Sequence, residues 1–199
     1  RTYRYFKGDP LFPFGYGLSY SEFEYSDVTL GYDAATTTYR MEVTVTNTGD
    51  VAGKETVQVY VSSPYTQYDI DNNVEKASVN LVGFEKTTML NPGDSERLFI
   101  DIDGDYVASY DAYGAGTYIL DAGTYYLTAA TDAHNATNNV LAAQGYTTAH
   151  GMDAEGNSAL VYNWDMEFDE TTYSVSLNGT KIENQLKDAD PNVYFGEGT

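Results

Sequence analysis

Strict alternation of apolar and polar side chains is the feature that most constrains how this chain folds. In Tyr39–Gly49, the apolar residues Met41, Val43 and Val45 alternate with Glu42, Thr44 and Thr46. A period of two places the two sets on opposite faces of an extended strand, so the pattern predicts a half-buried β-strand. The same kind of pattern, weaker at the first stretch and broken by Gly83 in the third, occurs in Phe23–Tyr32, Gly53–Ser63, Val79–Leu90, Asn91–Ile102 and Asp121–Thr131.

Short polar turns separate these stretches, and no helical period lies between them. Pro92-Gly93 and Gly123 mark two of the turns. About seven strands fit between Glu22 and Thr131, a number typical of an immunoglobulin-like sandwich. The sequence therefore predicts an all-β fold, an antiparallel β-sandwich.

The alternation ends at Thr131. Residues 132–170 are rich in Asn, Ala and Gly, and we expect an irregular, partly helical insertion there, with a short helix ending at Gly145. A further strand is predicted at Tyr173–Leu177, followed by an Asn178-Gly179 turn. The resulting division of the chain is a lead-in segment at 1–21, a sandwich at 22–187 that includes the insertion, and a linker at 188–199.

The lead-in segment contains PLFPFGYGLSY, Pro10 to Tyr20, in which prolines and glycines oppose both helix and regular strand. Its rings offer contact area, so we expect an exposed aromatic patch, which would contact a neighbouring domain. The residues of this patch are Phe12, Phe14, Tyr16 and Tyr20.

Charge and composition narrow the classes of partner. Ten basic and 30 acidic residues give a net charge of −20, which repels nucleic-acid backbones and anionic membrane surfaces, so neither is an expected partner. The chain has no cysteine, which excludes disulfides, thiolate metal sites and a Cys nucleophile but leaves the compartment open. It begins without Met, and we expect it to be a piece of a longer protein.

No residue pattern specifies catalytic or metal chemistry. Asp69, Asp71 and Asn73 have calcium-loop spacing, but Val74 and Asn80 stand where an EF-hand needs Gly and Glu. Three alternating acids at Asp101–Asp105 fail the same comparison. The histidines, His134 and His150, lie in the insertion without a nucleophile motif, and 30 acids make any carboxylate pair uninformative. We expect no catalytic residue, metal or cofactor.

Several motifs in order resemble the fibronectin type III-like domain of glycoside hydrolase family 3, the β-glucosidase and β-xylosidase family. They are RTYRYF with PLFPFGYGLSYSEFEYS, then VTVTNTGDVAGKETVQVYVSSP, LVGFEKTTMLNPGDSERLFIDI and YVASYDAYGAGTYILDAGTYYLTAATD, which together cover residues 1–132. In the last, Ala122 replaces the Pro typical before Gly. The resemblance implies a fibronectin type III-like sandwich and catalytic residues in a separate (β/α)₈ barrel and α/β sandwich domain of the same parent chain. The tail resembles members in which the barrel follows this module.

The resulting prediction is a non-catalytic module that braces the catalytic domains of a carbohydrate-degrading enzyme. Two alternatives stay open. The chain has 20 tyrosines and one tryptophan, Trp164. The module could bind oligosaccharide through tyrosines at its surface or through Trp164. Alternatively, the 132–170 insertion could reach the parent active site and shape its rim.

Overall fold

The computed structural model describes residues 3–6, 8, 10–185 and 189. Within them the chain is dominated by β-strands, with two short α-helices, α1 (Gln67–Asp71) and α2 (Ala133–Ala143), and four 3₁₀ turns. The predicted 188–199 linker lies outside the described residues except for Ala189. The strands are β1 (Phe23–Asp33), β2 (Thr38–Asn47), β3 (Thr56–Ser62), β4 (Asn80–Lys86), β5 (Ser95–Asp103), β6 (Ser109–Asp111), β7 (Thr117–Ile119), β8 (Gly123–Ala130) and β9 (Val161–Met166).

Two antiparallel sheets form the sandwich in the described part of the chain. One has the strand order β1-β2-β5 and the other β4-β3-β8-β9, while β6 and β7 pair as a separate hairpin. β2 and β5 pair in continuous register from Thr38 opposite Asp103 to Thr46 opposite Ser95. The all-β sandwich expected from the period-two pattern is confirmed.

The main core lies between the two sheets. It consists of the apolar side chains that alternate with polar ones along the strands. Met41, Val43 and Val45 of β2 are fully buried, as are Val57, Val59 and Val61 of β3. Leu98, Ile100 and Ile102 of β5 and Tyr125, Leu127 and Ala129 of β8 complete the same cluster. Each strand thus contributes one face to the core, and apolar burial of this extent is the main stabilising term.

A second apolar cluster covers the outer face of the four-stranded sheet. Helix α2 packs there, with Ala136 and Val140 against Tyr60 and Ala130 of β3 and β8. Asp132 caps the helix by accepting from the Asn135 amide at 2.8 Å, and the chain leaves the helix at Gly145, where φ is +89°. The predicted helix is present, but it begins earlier, at Ala133, and ends at Ala143, two residues before the predicted Gly145. Neither described helix is long and apolar enough to cross a membrane.

Strand β9 is the element that the sequence pattern missed. The irregular insertion continues past α2, but Val161–Met166 returns to the sheet and pairs with β8, Trp164 opposite Tyr125. The strand predicted at Tyr173–Leu177 is wrong, since only an isolated bridge joins Val175 to Lys181 and Leu177 is fully exposed. The turn after it is present: Gly179, with φ +80°, donates to Ser176 at 2.8 Å.

Candidate interdomain surface

A tight turn sets the path of the lead-in segment. The amide of Tyr16 donates to the carbonyl of Pro13 at 3.1 Å, and Gly15 between them has φ +86°. This left-handed conformation favours glycine, because a Cβ there crowds the backbone. A Cβ at Gly15 would also collide with Oε1 of Gln58. The residue type at position 15 is therefore fixed both by backbone conformation and by space.

Two hydrogen bonds attach this turn to the sandwich, and a third orients the side chain that donates one of them. Nε2 of Gln58, on β3, donates to the carbonyl of Gly15 at 2.9 Å and to the carbonyl of Thr131 at 2.6 Å. The amide of Ala133, at the start of α2, donates to the carbonyl of Phe14 at 2.9 Å. The lead-in is thus attached to β3 and to α2 by backbone groups, which leaves its side chains free to point elsewhere.

The aromatic side chains of the lead-in are largely exposed. Phe12, Phe14, Tyr16 and Tyr20, here called the aromatic lead-in surface, are 44% to 101% exposed, and Leu11 and Leu18 beside them are also open. The rings of Phe12 and Tyr16 lie against each other with centroids 5.2 Å apart. Several large apolar side chains exposed on one short segment are typical of an interaction site. Contact with another domain stays a prediction.

Near the far end of β3, Lys76 lies in a buried ionic cluster. Its Nζ is 2.7 Å from Oδ1 of Asp69, contacts Oδ2 of Asp121, and donates to the carbonyl of Pro64 at 2.9 Å. All three ionisable side chains are buried. Burial raises the pKa of Asp121, although Lys76 acts in the opposite direction. This cluster ties the segment between β3 and β4 to the start of β8.

The acids that have calcium-loop spacing have separate local roles. Asp69 caps α1 by accepting from the Thr66 amide at 2.6 Å, besides pairing with Lys76. Asp101 forms a two-pronged pair with Arg40, at 2.6 and 2.7 Å, and Asp103 accepts from the Asp105 amide at 3.0 Å. Across residues 3–6, 8, 10–185 and 189, no three acids or histidines are grouped as a metal ion would require.

The two histidines are engaged in contacts within the insertion. Nε2 of His134, on α2, lies 2.7 Å from Oδ2 of Asp153, whose other oxygen accepts from Asn138 at 3.3 Å. Desolvation raises the pKa of Asp153, but these bonds from Asn138 and His134 outweigh it and lower the value. Nδ1 of His150 accepts from the Thr147 amide at 3.1 Å. The His134 contacts hold the insertion against α2, and the His150 contact closes a turn.

Trp164 lies on β9 and packs inward. Its ring is 5.2 Å from that of Tyr39 and 5.6 Å from that of Tyr125, centroid to centroid, and it joins the edge of the main core. A sugar-binding tryptophan presents an open face, whereas this one has tyrosines against it. Its position gives the predicted sugar contact at Trp164 no support.

A family model for the fibronectin type III-like domain matches residues 55–133. The chain carries a fibronectin type III-like domain. The matched range runs from the start of β3 to the start of α2, so it contains the ionic cluster and the Gln58 anchor of the lead-in. β9, which completes the four-stranded sheet, lies beyond it.

Relatives of this fibronectin type III-like domain are parts of much longer proteins. The β-glucosidase of Ruminococcus albus is 38% identical over 142 residues, which are 67% of this chain and 14% of that protein. The solved structure of β-glucosidase 3B from Thermotoga neapolitana, in complex with α-D-glucose, superposes with a TM-score of 0.56 at 35% identity. The superposed region is 66% of this chain and 17% of the Thermotoga neapolitana chain.

A solved structure that matches over more of the chain is that of the GH3 β-glucosidase of Bifidobacterium adolescentis. Its TM-score is 0.57 at 26% identity, with 83% of this chain and 20% of that one covered. The chain spans 13% to 17% of the length of the curated relatives it matches. The resemblance to the fibronectin type III-like domain of family 3 enzymes is confirmed.

Proposed function

We propose that this domain is a non-catalytic module that braces the catalytic domains of a larger glycoside hydrolase. The observation that carries the proposal is the aromatic lead-in surface. Its backbone is hydrogen-bonded to β3 and α2, while its rings stay between 44% and 101% exposed. A fixed backbone that presents exposed rings loses little conformational entropy when a partner covers them.

The partner is a catalytic domain of the same parent chain. Support comes from the relatives, which are β-glucosidases several times longer than this chain and contain the matching region as a minor part. The parent is accordingly a β-glucosidase-like enzyme whose reacting groups lie outside these 199 residues. The isolated chain is expected to hydrolyse no aryl-β-glycoside, and the parent to hydrolyse one.

We extend the proposal to the order of domains: an α/β sandwich domain before this module and a barrel after it. The lead-in then meets the preceding domain directly. The coding sequence of the parent tests this order, because the order requires a barrel domain downstream of Thr199. A stop codon soon after that position would contradict it.

The bracing role is tested by substituting Phe12 and Tyr20 together with Ser in the parent enzyme. Loss of apolar contact area at a domain interface should accelerate thermal inactivation, while kcat and KM for an aryl-β-glucoside at about 25 °C stay close to those of the parent. Leu177→Ser is the control, because Leu177 is as exposed as Tyr20 but lies outside the lead-in. An inactivation rate unchanged from the control would overturn the bracing role.

A further inference from the structure

A broad groove rimmed by tyrosines adjoins the aromatic lead-in surface, because Tyr3 lines the groove and stacks on Phe14 with ring centroids 4.1 Å apart. Its walls come from residues 3–6, the segment between β3 and β4, the turn after β5, the β6–β7 hairpin and the side of α2. Tyr65 and Tyr106 are each exposed by more than 60%, and Tyr118 by 38%. So many partly open rings around one concavity are typical of a binding site.

The backbone that presents Tyr65 is fixed by the buried ionic cluster. The carbonyl of Pro64, immediately before Tyr65, accepts from Nζ of Lys76 at 2.9 Å. Lys76 is itself held by Asp69 and Asp121. The cluster therefore has a consequence at the surface: it holds an exposed ring on a backbone that cannot easily move.

Tyr106 is fixed in a comparable way on the opposite segment. The amide of Gly104 donates to the carbonyl of Thr37 at 2.9 Å, and the amide of Val107 to the carbonyl of Gly104 at 2.9 Å. A side chain at Gly104 would collide with Thr37 and Tyr173, so the turn packs tightly on the sandwich. Oγ of Ser63 reaches the carbonyl of Val107 at 3.4 Å and joins the two ring-bearing segments.

The polar lining of the groove is mostly uncharged. Amide side chains come from Asn73, Asn80 and Gln144, and Oδ1 of Asn80 is buried without a hydrogen-bond partner among the described residues. The charged lining residues besides Lys76 are Arg4, Glu75 and Asp105, which bring no excess of positive charge. An anionic ligand therefore has nothing to attract it in a chain of net charge −20.

We propose that this groove binds a neutral oligosaccharide, with Tyr65 and Tyr106 as stacking platforms for its pyranose rings. A pyranose has apolar C–H faces that stack on aromatic rings and hydroxyl groups that exchange hydrogen bonds with exposed amides such as those of Asn73 and Gln144. Because both platforms are fixed in advance, binding orders few protein groups. The two stacking residues lie outside the aromatic lead-in surface on which the bracing role rests, so the two proposals can fail separately.

Titration of the ¹⁵N-labelled 199-residue chain with cellotetraose, and separately with xylotetraose, tests the proposal by NMR. Saturable shifts are expected at amides around residues 63–66, 73–80 and 104–107, with a Kd on the order of 1 mM. Tyr65→Ala and Tyr106→Ala should each weaken binding about tenfold, a loss of one stacked ring. Tyr65→Phe keeps the ring and should keep the affinity.

Tyr20→Ala is the control, since Tyr20 is fully exposed but lies on the lead-in, and it should leave the Kd unchanged. Absence of saturable shifts with both sugars would overturn the proposal. So would an equal loss in Tyr20→Ala, or tighter binding of an oligogalacturonate than of the neutral sugars. Failure of the bracing test leaves these outcomes unaffected.

Discussion

The side-chain amide of Gln58 donates to the carbonyl of Gly15 at 2.9 Å and so joins the middle of a core strand to the lead-in turn. Oε1 of the same side chain accepts from the Tyr60 hydroxyl at 2.6 Å. Tyr60 belongs to the apolar cluster under α2, so this bond fixes the side chain of Gln58. The bond from Gln58 to Gly15 in turn fixes the backbone that carries the exposed rings of the lead-in. The exposed surface and the packed sheet are one connected unit.

Gly15→Ala should release the lead-in from the sandwich. The substitution adds strain of about 1–2 kcal/mol at a positive φ and a collision with Gln58. The amide of Ala133, which donates to the carbonyl of Phe14, should then exchange with deuterium faster. Gly17→Ala is the control, because a Cβ at Gly17 meets nothing within 4 Å. Equal exchange at Ala133 in the two variants would contradict the account.

Lys76→Met should destabilise the whole domain. It removes the only cation from a buried cluster of two carboxylates, and an uncompensated buried charge costs about 3–5 kcal/mol. Urea unfolding measures the loss. Adding Asp121→Asn should restore part of the stability by removing one of the two negative charges. Lys181→Met, at an exposed pair 3.8 Å apart, should change the free energy of unfolding by less than about 0.5 kcal/mol.

Trp164→Ala should cost about 2–4 kcal/mol, because the ring packs on Tyr39 and Tyr125 and attaches β9 to the core. The neighbouring Tyr162→Ala, at an exposed position of the same strand, should cost much less. Chemical denaturation compares the two variants. Similar small losses for both would mean that β9 is a surface addition and not a strand of the fold.

Asp169 gives the domain an acid-dependent contribution to stability. Hydrogen bonds from the Thr172 and Thr171 hydroxyls and amides lower the pKa of Asp169 to about 2. A carboxylate with a lowered folded-state pKa stabilises above its ordinary pKa near about 4, and the contribution is lost as pH falls from there towards about 2. Asp169→Asn should therefore lower Tm at about pH 7 and match the parent sequence near about pH 2. Asp50→Asn, at an exposed position, is the control and should change Tm little at about pH 7.

The strands that carry the core could be predicted from the sequence because their burial is one-sided, so that Val43 or Ile100 is followed by a polar neighbour. β9 was missed although Trp164 and Met166 alternate with Asn163 and Asp165, because the pattern is short, lies inside an irregular segment, and forms a strand only by pairing with the free edge of β8. The opposite error at Val175 has the same cause: alternation without a neighbouring edge forms no strand.

The exposed rings of the lead-in were predictable because prolines and glycines prevent a regular element that could bury them. Their attachment was not, because Gln58 lies 43 residues from Gly15 and nothing in its local sequence marks it. The cluster of Lys76, Asp69 and Asp121 shows the same limit. Its members are common polar residues that become a unit only when the β3–β4 segment packs against the start of β8.

Hydroxyl-radical footprinting of Tyr20 and Phe12 tests the bracing role most directly. The side chains of both residues are open in the 199-residue chain and should be oxidised readily there. In the parent enzyme, a catalytic domain that covers the aromatic lead-in surface should slow their oxidation about tenfold or more, while Leu177 reacts equally in both. Equal oxidation of Tyr20 and Phe12 in the parent and in the chain would contradict the account.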